Sequence, residues 1–284
     1  MKNWLLIRGQ RAMWRLLFGS IILICVPQFA FAWGELGHRT VAEIAARFLS
    51  EQTKAEVEEL LGDGSAKAAM VDVAVWADEN VRPGSYSWHT VDIPSDGIRY
   101  NRARDCKNDD CIVEKIKEFT QIVGDRRVAR PQRIESLKYL IHFVGDLHMP
   151  LHAYAPLNHP TGTWVRIGER TQKLHLWWDN EFVEEFGLGP TELANLLVAE
   201  ITTDQRKAWS DGSAEDWANE SFNMAREFVA RHNMTSIVRA GDNSQETPIV
   251  LPTSVIDEVK RVVAHRLKMA GVRLAWLLNR AFEN

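Results

Sequence analysis

The sequence predicts an all-α fold, a single-domain helical bundle carrying one short β-hairpin. Three observations predict it. Apolar residues recur at helical spacing in one stretch after another. No internal repeat and no linker rich in Pro, Gly or Ser divides the chain. The composition, 45% hydrophobic and 25% charged over 284 residues, fills a core and excludes a disordered chain. With 17 Gly, 10 Pro and 3 Cys, a collagen-like chain and a disulfide-dense scaffold are excluded as well. The formal net charge of −4 argues against a broad basic nucleic-acid surface.

The elements follow in order. Thr40–Leu49 sets Val41, Ile44, Ala45 and Phe48 on one helical stripe. Ser50 is the N-cap expected for a second helix, Glu51–Leu61, which Gly62 ends. Lys67–Asn80 has a helical pattern closed by Pro83, and Ile112–Ile122 is amphipathic. Pro131 opens a helix through Leu147, with Ile134, Leu137, Ile141 and Val144 facing the core. Thr163–Lys173 reads as a hairpin around Gly168. Helices are expected at Leu174–Phe186, Pro190–Ser210, Ala214–His232 and Leu251–Asn279, with a loop over 236–250.

The N-terminus has the layout of a secretory signal peptide. Lys2, Arg8, Arg11 and Arg15 precede an apolar run from Leu16 to Val26, then Pro27 and Ala30-Phe31-Ala32. The run is too short for a bilayer span, which takes about 20 residues. Cleavage after Ala32 sends the chain to a periplasm or out of the cell. It removes four basic groups and no acid, leaving 252 residues and moving the net charge from −4 to −8. Trp33 becomes the first residue, and its α-amine and carbonyl oxygen can chelate a metal, with His38 five residues on. Cys25 is lost. In an oxidising compartment Cys106 and Cys111 would close a small disulfide loop, and a zinc role for them lacks a second Cys pair.

Histidine and aspartate carry the chemistry. His142 and Asp146 lie i, i+4 on one helix face, and His175 and Asp179 repeat the spacing on another. Both pairs sit in apolar surroundings, where ionisable groups need a partner or a metal. One such pair alone reads as a structural hydrogen bond. Two pairs, with His38, Asp78, His89 and His152, point to a metal centre of the His–carboxylate kind that suits Zn²⁺.

The chain resembles the S1/P1 nuclease family of zinc-dependent, secreted nucleases that prefer single strands. The resemblance rests on Trp33-Gly34-x-x-Gly37-His38, Trp76-Ala77-Asp78 and His89-x-x-Asp92. It continues through the segment from His142 to His152, Leu174-His175-x-x-Trp178-Asp179, Trp217-Ala218-x-Glu220-Ser221, and the Cys106/Cys111 loop. It runs from Trp33 to the C-terminus and implies a catalytic domain over 33–284 of the phospholipase C/P1 nuclease type.

The resemblance implies three zinc ions per chain. Asp78, His89, His142 and Asp146 would hold one; His152, His175 and Asp179 a second; and Trp33, His38 and Asp146 the third. His148 is not implied as a ligand. Asp78 and Asp146 would serve catalysis, and Arg82, four residues after Asp78, would assist the phosphate. Water made acidic between two zinc ions would attack phosphorus, and the products would keep a 5′-phosphate. Single-stranded DNA, RNA and nucleotides are the expected substrates of a monomer with no stable membrane association; 3′-nucleotidase activity would accompany the cleavage. Asp92 keeps the base-contacting position and Asn180 a position beside the site. Thr90 replaces the usual stacking aromatic, and Asn158–Thr163 replaces a glycine-rich segment, so Tyr154 or Trp164 would supply the stacking. Two other readings stand beside this one. A zinc phospholipase C has related cluster logic, although that group ends its last motif in Glu where this chain has Asp179. A non-enzymatic helical protein with structural zinc would leave no open coordination position.

Overall fold

The computed structural model describes residues 33–62, 64–155, 162–234 and 247–283. The signal segment 1–32, residues 158–161 of the altered segment and most of the expected 236–250 loop lie outside the described residues.

The first helix, α1 (Glu35–Ala46), starts five residues before the apolar stripe predicts. Gly34 and Gly37 hide its first turn from a hydrophobic pattern, and Gly34 forms its N-cap. In α2 (Glu51–Leu61) the Ser50 hydroxyl accepts from the Thr53 N–H, and Gly62 ends the helix at φ +108°. The single helix expected over Lys67–Asn80 is two, α3 (Ala66–Asp72) and α4 (Trp76–Glu79), with a turn between them. A 3₁₀ turn, Tyr86–His89, then leads past α5 (Arg102–Asp105) and the Lys107–Asp109 turn to α6 (Ile112–Gly124). Cys106 and Cys111 are disulfide-bonded across that bend.

Helix α7 (Arg130–His148) takes Pro131 in its first turn and passes into a 3₁₀ turn at Pro150–Ala153. The hairpin forms as β1 (Trp164–Ile167) and β2 (Arg170–Lys173), with Gly168 at φ +60° in its turn. Then come α8 (Leu174–Leu176), a π-helical turn at Trp177–Glu181 and α9 (Phe182–Glu184). The helix expected over Pro190–Ser210 is broken into α10 (Pro190–Ala199) and α11 (Thr203–Trp209), because Thr202 and Gln205 build a capping box between them. Next is α12 (Ala214–Arg231), and α13 (Val255–Phe282) closes the chain. A third strand, β3 (Ile249–Leu251), occupies the end of the expected loop; it pairs parallel with β1, giving the order β2-β1-β3. A three-residue strand paired with a distant segment leaves no periodic signal in sequence.

The core is continuous. Helix α13 packs on α1, α7 and α6, and α7 lies against α6. Among the described residues no helix is long and apolar enough to cross a membrane. The α1/α13 crossing depends on Gly271, where an added Cβ would lie 2.4 Å from Ile44 Cγ2. Gly271→Ala therefore forces two central helices apart. Its expected cost is about 1–3 kcal/mol, read as a lower midpoint of urea unfolding with an unchanged slope.

Candidate metal centre

Seven elements converge on one cluster. His38 comes from α1, Asp78 from α4, His89 from the 3₁₀ turn, and His142 and Asp146 from α7. His152 comes from the turn after α7, His175 from α8 and Asp179 from the π-helical turn. Helical spacing puts His142 and Asp146 on one face, and the others meet them across the core. The Asp146 carboxylate is the hub. Its Oδ1 lies 3.2 Å from His38 Nε2, and its Oδ2 lies 2.9 Å from His89 Nδ1 and 3.3 Å from His142 Nε2. Asp78 Oδ1 is 3.3 Å from His142 Nε2 and 3.5 Å from His89 Nδ1. A few ångströms away, His152 Nε2 lies 3.1 Å from His175 Nε2, which is 3.5 Å from Asp179 Oδ2.

The local breaks in helix serve this geometry. The turn between α3 and α4 releases the Ala74 carbonyl, which accepts a hydrogen bond of 2.7 Å from His142 Nδ1. The His89 carbonyl does the same for His152 Nδ1 at 2.8 Å. Each bond fixes the tautomer and turns the Nε2 lone pair inward, as the outer partner of a metal-binding histidine does. Gly145 has no room for a side chain, since a Cβ would sit 2.9 Å from His38 Nδ1. The π-helical turn carries Asp179, whose carbonyl accepts from the Gly34 N–H at 2.7 Å; π-bulges recur at functional sites.

The cluster is short of positive charge. Asp146 and Asp179 are fully buried, and among the described residues no Lys or Arg forms an ion pair with Asp78, Asp146 or Asp179. Burial, reinforced by Asp146 and Asp78, pushes the Asp179 carboxyl well above the ordinary range. Burial drives His152 down to about 4, and burial with the neighbouring His152 takes His175 down to about 3, so both rings are neutral ligands at neutral pH. Burial opposes charge on His142 too, yet Asp146 and Asp78 lift it well above its ordinary value. Burial opposes charge on Asp146 as well, yet the attraction of His142 and the bond from His89 hold it well below.

A divalent cation answers this imbalance, and the donor set fits one. Donor atoms on a tetrahedral zinc lie about 3.4 Å apart, and the contacts above span 2.9 to 3.5 Å. Three groups each bring donor atoms within 4.8 Å of one another: His38/His142/Asp146, Asp78/His89/His142 and His152/His175/Asp179. Both oxygens of Asp179, Nε2 of His142 and Oδ1 of Asp146 are buried with no hydrogen-bond partner. Orphans of this kind in a folded core are costly unless something binds them.

The remaining expected residues divide. Trp33 is fully buried against Gly37, within one turn of His38. Asn180 presses on Gly34 and lines a cavity of about 450 Å³ with Asp179, Glu35 and Glu184. Arg82 is exposed and ion-paired with Glu135 at 2.7 Å. Asp92 is exposed. Trp164 is 40% exposed on β1. Tyr154, expected to stack on a base, is instead buried with its ring against Phe222. Its neighbours are core side chains because the 150–155 segment folds back under α12.

Comparison with known proteins gives one consistent result. The S1/P1 Nuclease family model matches residues 33–283. The chain is similar to Nuclease S1 of Aspergillus oryzae, 31% identical over 216 residues, covering 70% of this chain and 74% of that protein. Endonuclease 4 of Arabidopsis thaliana is 30% identical over 297 residues, covering 93% and 94%. Nuclease P1 of Penicillium citrinum is 29% identical over 271 residues, covering 87% and 97%.

One supporting network escaped the sequence reading, although its Glu220-Ser221 part stood out as a motif. Arg266, fully buried on α13, donates from Nε to the His148 carbonyl at 2.9 Å and from Nη2 to Ser221 Oγ at 2.6 Å. The Ser221 hydroxyl donates to the Leu147 carbonyl. Arg273 donates to His148 Nε2 at 3.0 Å, and both arginines pair with Glu220. Arg266 thus holds the His148 carbonyl and, through Ser221, the Leu147 carbonyl, while Arg273 holds the His148 ring; both cations stand at the C-terminal end of α7, where the helix dipole favours positive charge. This occupies His148, which is therefore turned away from the metal-binding donors. A lone buried Arg far along the last helix carries no signal of this in sequence. Arg266→Met leaves the His148 carbonyl, the Ser221 hydroxyl and Glu220 each short of a donor, and should cost about 3 kcal/mol in guanidinium unfolding. Arg266→Lys should recover only part of that, and a loss under about 1 kcal/mol would remove the network from the account.

Proposed function

The chain belongs to the S1/P1 nuclease family, and from that premise we propose that its buried His–Asp cluster is a three-zinc centre that hydrolyses single-stranded nucleic acid. It is an endonuclease, a phosphodiester hydrolase. The observation that carries the metal reading is the buried Asp179 carboxylate, both of whose oxygens lack a hydrogen-bond partner and which, among the described residues, no Lys or Arg pairs with.

Asp78, His89, His142 and Asp146 would hold one ion, His152, His175 and Asp179 another, and Trp33, His38 and Asp146 a third. Asp146 suits a bridging role because its two oxygens already address different histidines. Bound zinc supplies Lewis acidity toward phosphate and lowers the pKa of coordinated water. The chain supplies orientation and exclusion of solvent. His38, His142, Asp146 and Asp179 are sealed in the core. His89 and His175 are each 8% exposed and, with the partly exposed Asp78, form the side from which a phosphate can enter. Arg82 would join that phosphate on leaving Glu135, while Asp92 and Asn180 would contact the nucleotide.

Export and cleavage after Ala32 belong to the same proposal. They would free the Trp33 amine at the residue that already lies against Gly37 in the first turn of α1. The disulfide between Cys106 and Cys111 suits an oxidising compartment. No observation favours the phospholipase C reading.

Elemental analysis of the mature protein should give close to three zinc per chain. Chelation should abolish release of nucleotides from single-stranded DNA, and added zinc should restore it. Asp146→Asn should lower that activity more than about 100-fold and reduce the zinc content. Full activity in Asp146→Asn would end the cluster assignment, and hydrolysis of phosphatidylcholine without cleavage of DNA would return the phospholipase reading.

A further inference from the structure

The outward face of the three-stranded sheet has no role in the metal centre. Its composition is set by register. Trp164 lies opposite Lys173, Arg166 lies opposite Thr171, and Arg166 lies beside Val250 on the third strand. Directly opposed residues share a face and stand about 5 Å apart at Cβ. All five are exposed, Trp164 at 40% and Val250 at 61%. The other face packs inward through Val165, Ile167 and Leu251.

The two cations on this face differ from their neighbours. Arg170, at the turn end of β2, is tied to Glu181 and Glu185 and lies over the Trp177 ring. Among the described residues, the Arg166 guanidinium and Lys173 ammonium make no ion pair or side-chain hydrogen bond. The one carboxylate of the hairpin, Glu169, is in its turn, at the far end from the Trp164–Lys173 pair. An exposed indole beside two cations that no described residue pairs with is the combination that single strands use, bases stacking on the ring and phosphates meeting the charges. In a chain whose formal net charge is −4, such a face is a local exception. It also leads to the cluster, since Lys173 ends β2 and His175 is two residues on.

We propose that this face is an accessory landing surface for single-stranded nucleic acid, holding the part of the strand that extends beyond the bond being cut. Trp164 stacks on a base, and Arg166 and Lys173 pair with phosphates. The proposal rests on the nuclease reading and deepens it, because it assigns the enzyme a preference for longer strands.

The test uses mature zinc-loaded protein as wild type, Trp164→Ala, Trp164→Phe and the double variant Arg166→Ala/Lys173→Ala, with a thymidine dinucleotide and a labelled thymidine 20-mer as probes. Cleavage kinetics and fluorescence anisotropy of the 20-mer are measured together. For the 20-mer, Trp164→Ala should raise KM at least about fivefold with kcat unchanged, and Trp164→Phe should restore most of the affinity. The double variant should weaken 20-mer binding and flatten its log–log salt dependence by about 1.4. All three variants should cleave the dinucleotide as wild type does. Unchanged 20-mer binding and KM would overturn the proposal, as would equal losses on both substrates. If no protein cleaved either substrate while the anisotropy differences persisted, the nuclease reading would fail and the landing surface would stand.

Discussion

The structure depends on the placing of three carboxylates, the buried Asp146 and Asp179 and the mostly covered Asp78, against five imidazoles, with no Lys or Arg ion-paired to them among the described residues. Taking a carboxylate out of water costs several kcal/mol even after relaxation. Histidine can offset this in part by taking a proton, as the raised His142 does. It cannot do so for Asp179, whose neighbours His152 and His175 are pushed down to about 4 and about 3 and stay neutral. The fold therefore holds a deficit of positive charge at a fixed place. A divalent cation is the group that removes it without giving up the donors, because neutral imidazole and ionised carboxylate are the forms a metal requires.

Holding those donors still is the work of the surrounding scaffold. Helix α7 contributes two of them and is fixed at its C-terminal end by Arg266 and Ser221, within two residues of Asp146. On its flank, Phe143 meets the His89 ring edge-on, with centroids 4.9 Å apart, and stacks into Tyr139 and Phe119. The His38 ring lies flat on His142 at 3.8 Å. These contacts leave each imidazole little room to turn, and ligand geometry is maintained by such outer contacts as much as by the metal.

What could be read from the chain follows from the range of each interaction. The i, i+4 pairs His142/Asp146 and His175/Asp179 are local, so spacing alone put them on common faces. Their meeting with Asp78 and His89 across the core has no periodic signature; there it was the family motifs that carried the expectation. Helix α2 was legible to its ends because Ser50 and Gly62 are local caps. The breaks at 73–75 and 200–202 were not. One frees Ala74 for His142, a contact 68 residues away, and the other comes from a capping box inside an apparently continuous pattern. Strand β3 escaped because its partner lies more than 80 residues back in the chain. Tyr154 was misread because a ring near a site motif reads the same in sequence whether it faces solvent or Phe222.

Charge is where global and local readings part. A net −4, or −8 once residues 1–32 are removed, argues against a nucleic-acid partner. Yet charge acts over about 8 Å at physiological salt, so a phosphate responds to what lies beside it and not to the sum. Three divalent ions against three aspartates would leave the centre about three charges positive. The outward face of the sheet adds two cations with no partner among the described residues. Elsewhere most acids and bases are matched: Arg102 with Asp109, Arg127 with Asp125, Arg231 with Glu227, Lys268 with Glu200. Matched surface pairs contribute little field at a distance and little stability. A polyanion would then be drawn to the metal-binding cleft and the strand that leads into it, and the same acidic surface that repels nucleic acid elsewhere would direct it to the place where it is cut.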